Sequence, residues 1–432
     1  MTRDDILRLD RTHAWHPYTA MGRWQQRDDI LVVREALGSW FIDEDGKRYL
    51  DANSSWWTLT LGHRHPRLVR AAHGALERLD HVAFAGATHE PGATLARDLL
   101  DVSPGFSRVF YVDNGSTAVE LALKLAVEFH QRVGAAQRNE FVTFAGAFHG
   151  DSAGATSLGG VESFTAAYAS ITFPCHRLPS PSSEGEALDA LDRVIAERGN
   201  RIAGVFLEPM LQGAAGMQVQ SASFVRALHE RVTAAGALLI VDEVFTGYGR
   251  TGRFWATEHA DVTPDIRCTG KAFAQFLPMG AVLTTARVFE PFSRTDAAAM
   301  PYGHTFNGNP FGAAIAREVL AIYRDESIVE RVSRDAPRFA ECAANLARVG
   351  GVLRTRSLGF VLAADLEDPA GVEGYGGTAG WRVYTEALAR GLYLRPLGST
   401  VYACPPLNTS LEDLNHLFEV LEASVRAAVA PR

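Results

Sequence analysis

Along the chain the alternation of apolar and polar positions changes rhythm three times. Over the first sixty residues, short strand-like pieces (ILVVRE, WFIDED, RYLDA) alternate with turn residues such as Asp45-Gly46. From Pro66 to about Leu100, apolar residues recur at three- and four-residue intervals, which predicts helix. Five apolar runs follow, SRVFYVD, EFVTFAG, IAGVFLEP, ALLIVDEV and AVLTT, each bounded by Gly, Asp or Pro. Helical segments such as TAVELALKLAVEFHQ and SFVRALHERVTAAG separate several of them. Continuous apolar strands alternating with helices predict an α/β domain built on a mainly parallel sheet buried on both faces. Beyond Gly312 the pattern is helical, then strand-like in RSLGFVLAADL and GLYLRPLG, then helical again from Leu411, which reads as a smaller α+β unit. The expected organisation is a large domain over 61–315 and a small domain over 316–432, with residues 1–60 contributing to the small one.

Composition narrows the function. A chain of 432 residues exceeds what one ordinary core organises. At 47% hydrophobic and 21% charged it has the composition of a soluble globular protein. A net charge of −8 argues against nucleic acid and anionic membrane as partners. The opening MTRDDILRLDR lacks the apolar core of a secretory signal, and the longest apolar run, AAGALLIV, is far short of a membrane span. Cys175, Cys268, Cys342 and Cys404 are scattered, with no C-x-x-C pair. Reduced thiols in a cytoplasmic protein are expected.

The candidate chemistry lies in LLIVDEVFTGYGRTG. Gly247, Gly249 and Gly252 have the G-x-G-x-x-G spacing of a dinucleotide site. In that motif the first glycine turns the chain at the strand end, where this chain has Asp242 and Glu243, and two carboxylates would repel a pyrophosphate. The glycines therefore read as a flexible loop. Gly270-Lys271 fails as a P-loop, because Asp265 stands where the first glycine belongs and Ala272 where Ser or Thr does. His63 and His65 in GHRHP have no acidic or cysteine partner at ligand spacing and read as a turn; no metal is expected. An acid closing an apolar strand, with a lysine soon after, suits pyridoxal phosphate. A lysine holds that cofactor as a Schiff base, and a carboxylate keeps its ring nitrogen protonated.

With the motifs DNGSTAVELALKLA, AFHGD, FLEPMLQGAAGM, VDEVFTGYGRTGRFWA, TGKA and GHTFNGNP in this order, the chain resembles the class III pyridoxal-phosphate aminotransferases of fold type I. The resemblance covers nearly the whole chain. WHPYTAM, NSSWW and HVAFAGATHEP resemble the branch that serves biotin synthesis. It implies Lys271 as the Schiff-base lysine and Asp242 as the partner of the ring nitrogen. Val244 and Phe148 are implied on the two ring faces, and Gly115 and Ser116 at the phosphate. Glu208 belongs to the cofactor's surroundings or forms a structural ion pair. Thr305 is implied to reach the phosphate of a neighbouring subunit, hence a homodimer with shared active sites. On the substrate side the resemblance implies Tyr18, Trp56, Gly303 and Arg395, with the guanidinium on a distal carboxylate. Trp56 and the adjacent Trp57, if in a strand, point to opposite faces. The implied reaction is a ping-pong transfer between a small-molecule amino donor and a keto acceptor, 8-amino-7-oxononanoate, with S-adenosylmethionine or lysine as donor. Another ω-amino acid or diamine, or an aminomutase, would use the same cofactor residues. Three positions depart from the pattern: GKAFAQF replaces a loop that usually carries a glycine pair, Phe148 stands for a usual tyrosine, and His304 for a usual proline.

Overall fold

The computed structural model describes residues 1–296, 298–372 and 374–430. Its centre is a seven-stranded sheet in the order Phe106–Val112, Gly280–Thr285, Ile266–Thr269, Leu238–Asp242, Ile202–Leu207, Glu140–Phe144, His176–Leu178. Gly280–Thr285 runs antiparallel to both its neighbours, and the other pairs are parallel. The mixed α/β class with a mainly parallel sheet is as expected.

Period two decides what each strand residue meets. Leu238 and Ile240 pack with Phe206, Ile266 and Val282 under helix Gly115–Arg132, which contributes Ala118, Leu121, Ala122 and Leu125. Leu239 and Val241 face the other way, toward Leu191, Phe224 and Leu228 of helices Glu184–Arg198 and Ala222–Ala234. The next residue, Asp242, therefore lies on the face of helix Gly115–Arg132, and Glu243 on the opposite one.

Three readings change in detail. The helical pattern after Pro66 resolves into two helices, Pro66–Leu76 and Glu90–Asp101. RSLGFVLAADL is a hairpin, Val352–Leu358 paired antiparallel with Val361–Leu366, and Thr400–Ala403 adds a third strand. In GLYLRPLG only Leu392–Tyr393 is strand, paired in parallel with Arg48–Asp51, so a C-terminal piece extends the sheet of the N-terminal strands Val33–Leu37, Trp40–Asp43 and Arg48–Asp51. Among the described residues no helix is long and apolar enough to cross a membrane.

The glycine stretch is not a flexible loop. Tyr248, Arg250 and Trp255 are each only 1% exposed, so the segment is packed core. Glycine serves proximity here: a Cβ on Gly247 would come within 2.8 Å of the Glu243 carbonyl oxygen.

Candidate active site

Four strands deliver their C-terminal ends to one cavity of about 660 Å³, the usual place for a ligand in an open α/β sheet. Asp242 ends one strand. Glu208 follows the strand Ile202–Leu207, Lys271 follows Ile266–Thr269, and Gly115-Ser116 follow Phe106–Val112. Together with Phe148 and Val244 they line that cavity, so seven of the expected site residues share one wall system.

Asp242 is 5% exposed and its oxygens are directed. Oδ1 accepts the Val244 N–H at 3.0 Å, and Oδ2 lies 2.8 Å from Nδ1 of buried His149. Burial alone would lower the His149 pKa, but the hydrogen bond and charge of Asp242, with the charge of Glu208, raise it. Glu208 is 6% exposed and accepts the N–H groups of Phe148 and Gly213, each at 3.0 Å. Burial pushes its carboxyl up to about 7, against the pull of His149. It braces the Phe148 backbone, and among the described residues no side-chain salt bridge involves it. His149 was not singled out from the sequence although AFHGD contains it. Its partner stands 93 positions away, and only the sheet brings them together.

Lys271 has a φ of 46°, a left-handed conformation that non-glycine residues hold only when their surroundings enforce it. Its Nζ lies 4.9 Å from the centre of the Trp57 ring. Burial lowers the pKa of this amine, against the charges of Asp242 and Glu208. The loop after it has no glycine pair. Gln275 takes a φ of 54° in its place, and its side chain ties the loop down. Nε2 donates to the Ala272 carbonyl (3.0 Å) and to Thr60 Oγ1 (2.8 Å), while Oε1 accepts the Leu61 N–H (3.2 Å).

At the other end of the cavity begins the 18-residue helix Gly115–Arg132, capped by Asn114, whose side chain accepts the Thr117 N–H at 3.0 Å. The cap is thus Asn114, while Gly115 and Ser116 occupy the first helical turn, where N–H groups lack intrahelical acceptors and the helix dipole favours an anion. A Cβ on Gly115 would sit 2.7 Å from Val244 Cγ1, so only glycine lets helix and Val244 approach this closely. The donor set fits pyridoxal phosphate: an amine of lowered pKa, a buried carboxylate with directed oxygens, Val244 and Phe148 in the wall of the same cavity, and the N-terminus of a long helix.

The expected substrate residues lie one layer out. Trp56 and Arg395 line an adjoining cavity of about 330 Å³, and Tyr18 and Arg395 another of about 720 Å³. They connect to the first through Asp151, whose carboxylate accepts the Tyr18 hydroxyl at 2.6 Å. Trp56 and Trp57 are not in a strand, which ends at Asp51. They belong to a left-handed turn that leaves Trp56 42% exposed and buries Trp57 to 5%. That conformation costs roughly 1–2 kcal/mol per residue relative to a right-handed one.

Gly303 and Thr305 are exposed and line none of these cavities. Their segment is pegged beside the helix start, with the Tyr302 hydroxyl donating to the Thr117 carbonyl (3.1 Å) and His304 Nδ1 2.9 Å from Asp113 Oδ2.

Residues 21–425 match the family described as aminotransferase class-III. An adenosylmethionine-8-amino-7-oxononanoate aminotransferase of Geobacter sulfurreducens is 35% identical over 436 residues, covering 96% of each chain. The enzyme so named in Synechococcus elongatus is 36% identical over 422 residues, covering 95% of this chain and 97% of that one. Among solved structures, the adenosylmethionine-8-amino-7-oxononanoate aminotransferase of Methanocaldococcus jannaschii superposes with a TM-score of 0.94 at 28% identity, covering 99% of this chain and 100% of that one. The PMP-bound aminotransferase of Vibrio fluvialis gives 0.89 at 29%, covering 98% and 97%. The chain belongs to the class III aminotransferases, which work with pyridoxal phosphate.

Proposed function

We propose that this enzyme transfers an amino group to 8-amino-7-oxononanoate, giving 7,8-diaminononanoate, with S-adenosylmethionine as donor. The observation that carries the reading is a path of rings leading from the lysine cavity to one guanidinium. Phe148 meets Phe164 at 5.7 Å, Phe164 meets Tyr18 at 5.4 Å, and Tyr18 meets Trp56 at 5.6 Å. Arg395 lies 5.0 Å over the Trp56 ring. Rings suit the apolar chain of a long keto acid, and an arginine fork suits its distal carboxylate. The names of the relatives above support the same substrates.

Pyridoxal phosphate, when bound, supplies the electron sink that lets the C–H bond beside the reacting nitrogen ionise. Gly115 and Ser116 would hold its phosphate with backbone N–H groups, and Val244 and Phe148 would close on its ring. Asp242, oriented by the Val244 N–H and by His149, would face the ring nitrogen and favour its protonated form. Lys271 would hold the cofactor, and its amine, when free, would take and return the proton beside the reacting nitrogen as general base and acid. Thr305, exposed and outside its own cavity, completes the phosphate site of a second copy in a homodimer. Exposed Phe306 (58%) and Phe276 (45%) support that association.

The experiment combines donor and acceptor. S-adenosylmethionine, or lysine as the other donor, should convert the pyridoxal form in a single turnover, and 8-amino-7-oxononanoate should then be aminated. Arg395→Ala should weaken acceptor binding by about 2–5 kcal/mol, as for a desolvated charge pair, with only partial rescue by Lys. The acceptor's methyl ester should bind poorly to wild type and be nearly indifferent to the substitution. A variant that still separates acid from ester as wild type does would remove Arg395 from the anchor role. A wild-type enzyme that ignores this acceptor but aminates another keto compound, or that needs no second substrate, would overturn the substrate reading.

A further inference from the structure

Four consecutive residues with side chains, Ser54, Ser55, Trp56 and Trp57, have φ of 47, 44, 63 and 72°. They form one turn of left-handed helix, closed by Trp57 N–H to Asn53 O (2.8 Å) and Thr58 N–H to Ser54 O (3.0 Å). Cβ crowds the following carbonyl in this conformation, so L-residues enter it singly rather than in runs. A run persists only where its surroundings over-determine it.

The strand Arg48–Asp51 ends on a carboxylate with no solvent exposure, aimed into this turn. Asp51 Oδ1 accepts the Asn53 N–H at 3.0 Å, and Oδ2 accepts the Ser55 N–H at 2.7 Å and the Ser55 hydroxyl at 3.1 Å. His63 Nε2 lies 3.2 Å from the same Oδ2. From the far side, the Ser54 hydroxyl donates to the Cys404 carbonyl (2.7 Å) and accepts from Arg250 Nη2 (3.2 Å).

The turn sends adjacent indoles to separate parts of the site. Trp57 goes inward: its Nε1 donates to the Tyr402 hydroxyl (3.0 Å), its ring packs on Phe245 (4.5 Å), and the Lys271 amine lies against it. Trp56 goes outward to Tyr18 and Arg395. Asn53, which opens the turn, accepts the backbone N–H of Arg395 at 2.5 Å. One carboxylate thus underlies both the lysine end and the guanidinium end of the ring path.

We propose that Asp51 is a positioning residue for amino transfer: its carboxylate locks the left-handed turn that sets Trp57 against Lys271 and Trp56 against Arg395. The inference rests on the reading of Lys271 and Arg395 given above. In Asp51→Asn, one of the two accepting oxygens becomes an N–H donor facing backbone donors, so the clamp fails while size and packing are kept. Glycine at 55 tolerates positive φ, so Asp51→Asn/Ser55→Gly should regain much of the turn without the carboxylate.

The test uses the holoenzyme labelled with 5-fluorotryptophan, with the Trp56 and Trp57 signals assigned from Trp56→Phe and Trp57→Phe. The chain has seven tryptophans. In Asp51→Asn the two assigned fluorine signals should shift and broaden while the remaining five hold. KM for 8-amino-7-oxononanoate should rise on the order of tenfold, and less for its methyl ester, as expected when a binding wall moves. The double variant should restore both readouts in large part. Unmoved Trp56 and Trp57 signals in Asp51→Asn would overturn the proposal. So would equal movement of all seven, which would make Asp51 a residue of the fold at large. Borohydride trapping of the cofactor should label Lys271 in every variant. A label on another lysine would sink the Lys271 reading, and the Trp57 half of this inference with it, whatever the fluorine spectra show.

Discussion

Asp242 and Glu243 are adjacent carboxylates with different work, because the strand that ends at Asp242 turns successive side chains to opposite faces. Asp242 lines the cavity. Glu243 points into the protein, where it accepts the Ala256 N–H at 2.6 Å and lies 3.4 Å from Arg267. Arg267 is buried between the rings of Phe106 and Trp255, at 4.5 and 4.4 Å. Burial pushes its pKa down to about 10 against the charge of Glu243. Glu243→Gln would leave that guanidinium uncompensated and should cost about 3–5 kcal/mol of stability. Asp242→Asn should unfold at nearly the wild-type urea concentration but lose at least about a hundredfold in kcat, since an amide cannot hold the ring-nitrogen proton. Urea titrations and turnover of both variants check the division. Asp242→Asn proving the less stable of the two would refute it. Such parity was legible in the sequence. What Glu243 meets was not, since Arg267 is reached only through the neighbouring strand.

At the scale of elements, the chain solves its departures from the family pattern locally. The loop after Lys271 has lost the usual glycine pair, and Gln275 adopts the positive φ itself while its amide bridges to Thr60 and Leu61. Conformation and bridge can be separated by two substitutions. Gln275→Gly removes the bridge but fits the backbone, and Gln275→Ala removes the bridge and keeps a Cβ in the left-handed region. Ala should therefore be the less stable by about 1 kcal/mol, read from paired denaturant midpoints. If Gly is as destabilised as Ala, the backbone at 275 is unstrained and the bridge alone matters. Nothing in GKAFAQF announces the bridge, because Thr60 and Leu61, which it reaches, lie more than two hundred positions earlier.

For the whole molecule the question is where Thr305 acts. It is exposed and lines none of the cavities of its own subunit described above, while Tyr302 and His304 hold its segment beside the helix start. In the proposed homodimer it serves the partner's site. A hybrid of Lys271→Ala and Thr305→Val subunits then contains one site with an intact lysine and an intact donated threonine. Each hybrid dimer should regain about half of wild-type activity if sites act independently, so random mixing and reassociation, which makes about half of the dimers hybrids, should bring the mixture to about a quarter. If Thr305 served its own subunit, no site in the hybrid would be whole, and activity would stay near that of Thr305→Val. Sedimentation of the wild type at twice the 46.9 kDa chain mass would confirm the association required.

By itself the sequence determined the class of fold, because apolar runs and helical periods report burial locally. It also singled out Asp242 and Lys271, which line one cavity, since strand ends and motif order are linear properties. Tertiary structure alone decided the rest. His149 meets Asp242 because the segment after the strand Glu140–Phe144 reaches past the intervening strand Ile202–Leu207 to the end of Leu238–Asp242, and Asp51 can hold a left-handed turn because a buried carboxylate over-determines it. The glycine stretch that reads as flexible is core, because Tyr248, Arg250 and Trp255 find partners far along the chain. Adjacent tryptophans separate into a lysine neighbour and a cavity wall because the Asp51 clamp, local in sequence, is buried against Arg250, Tyr402 and Cys404 far along the chain, and no local pattern encodes that burial.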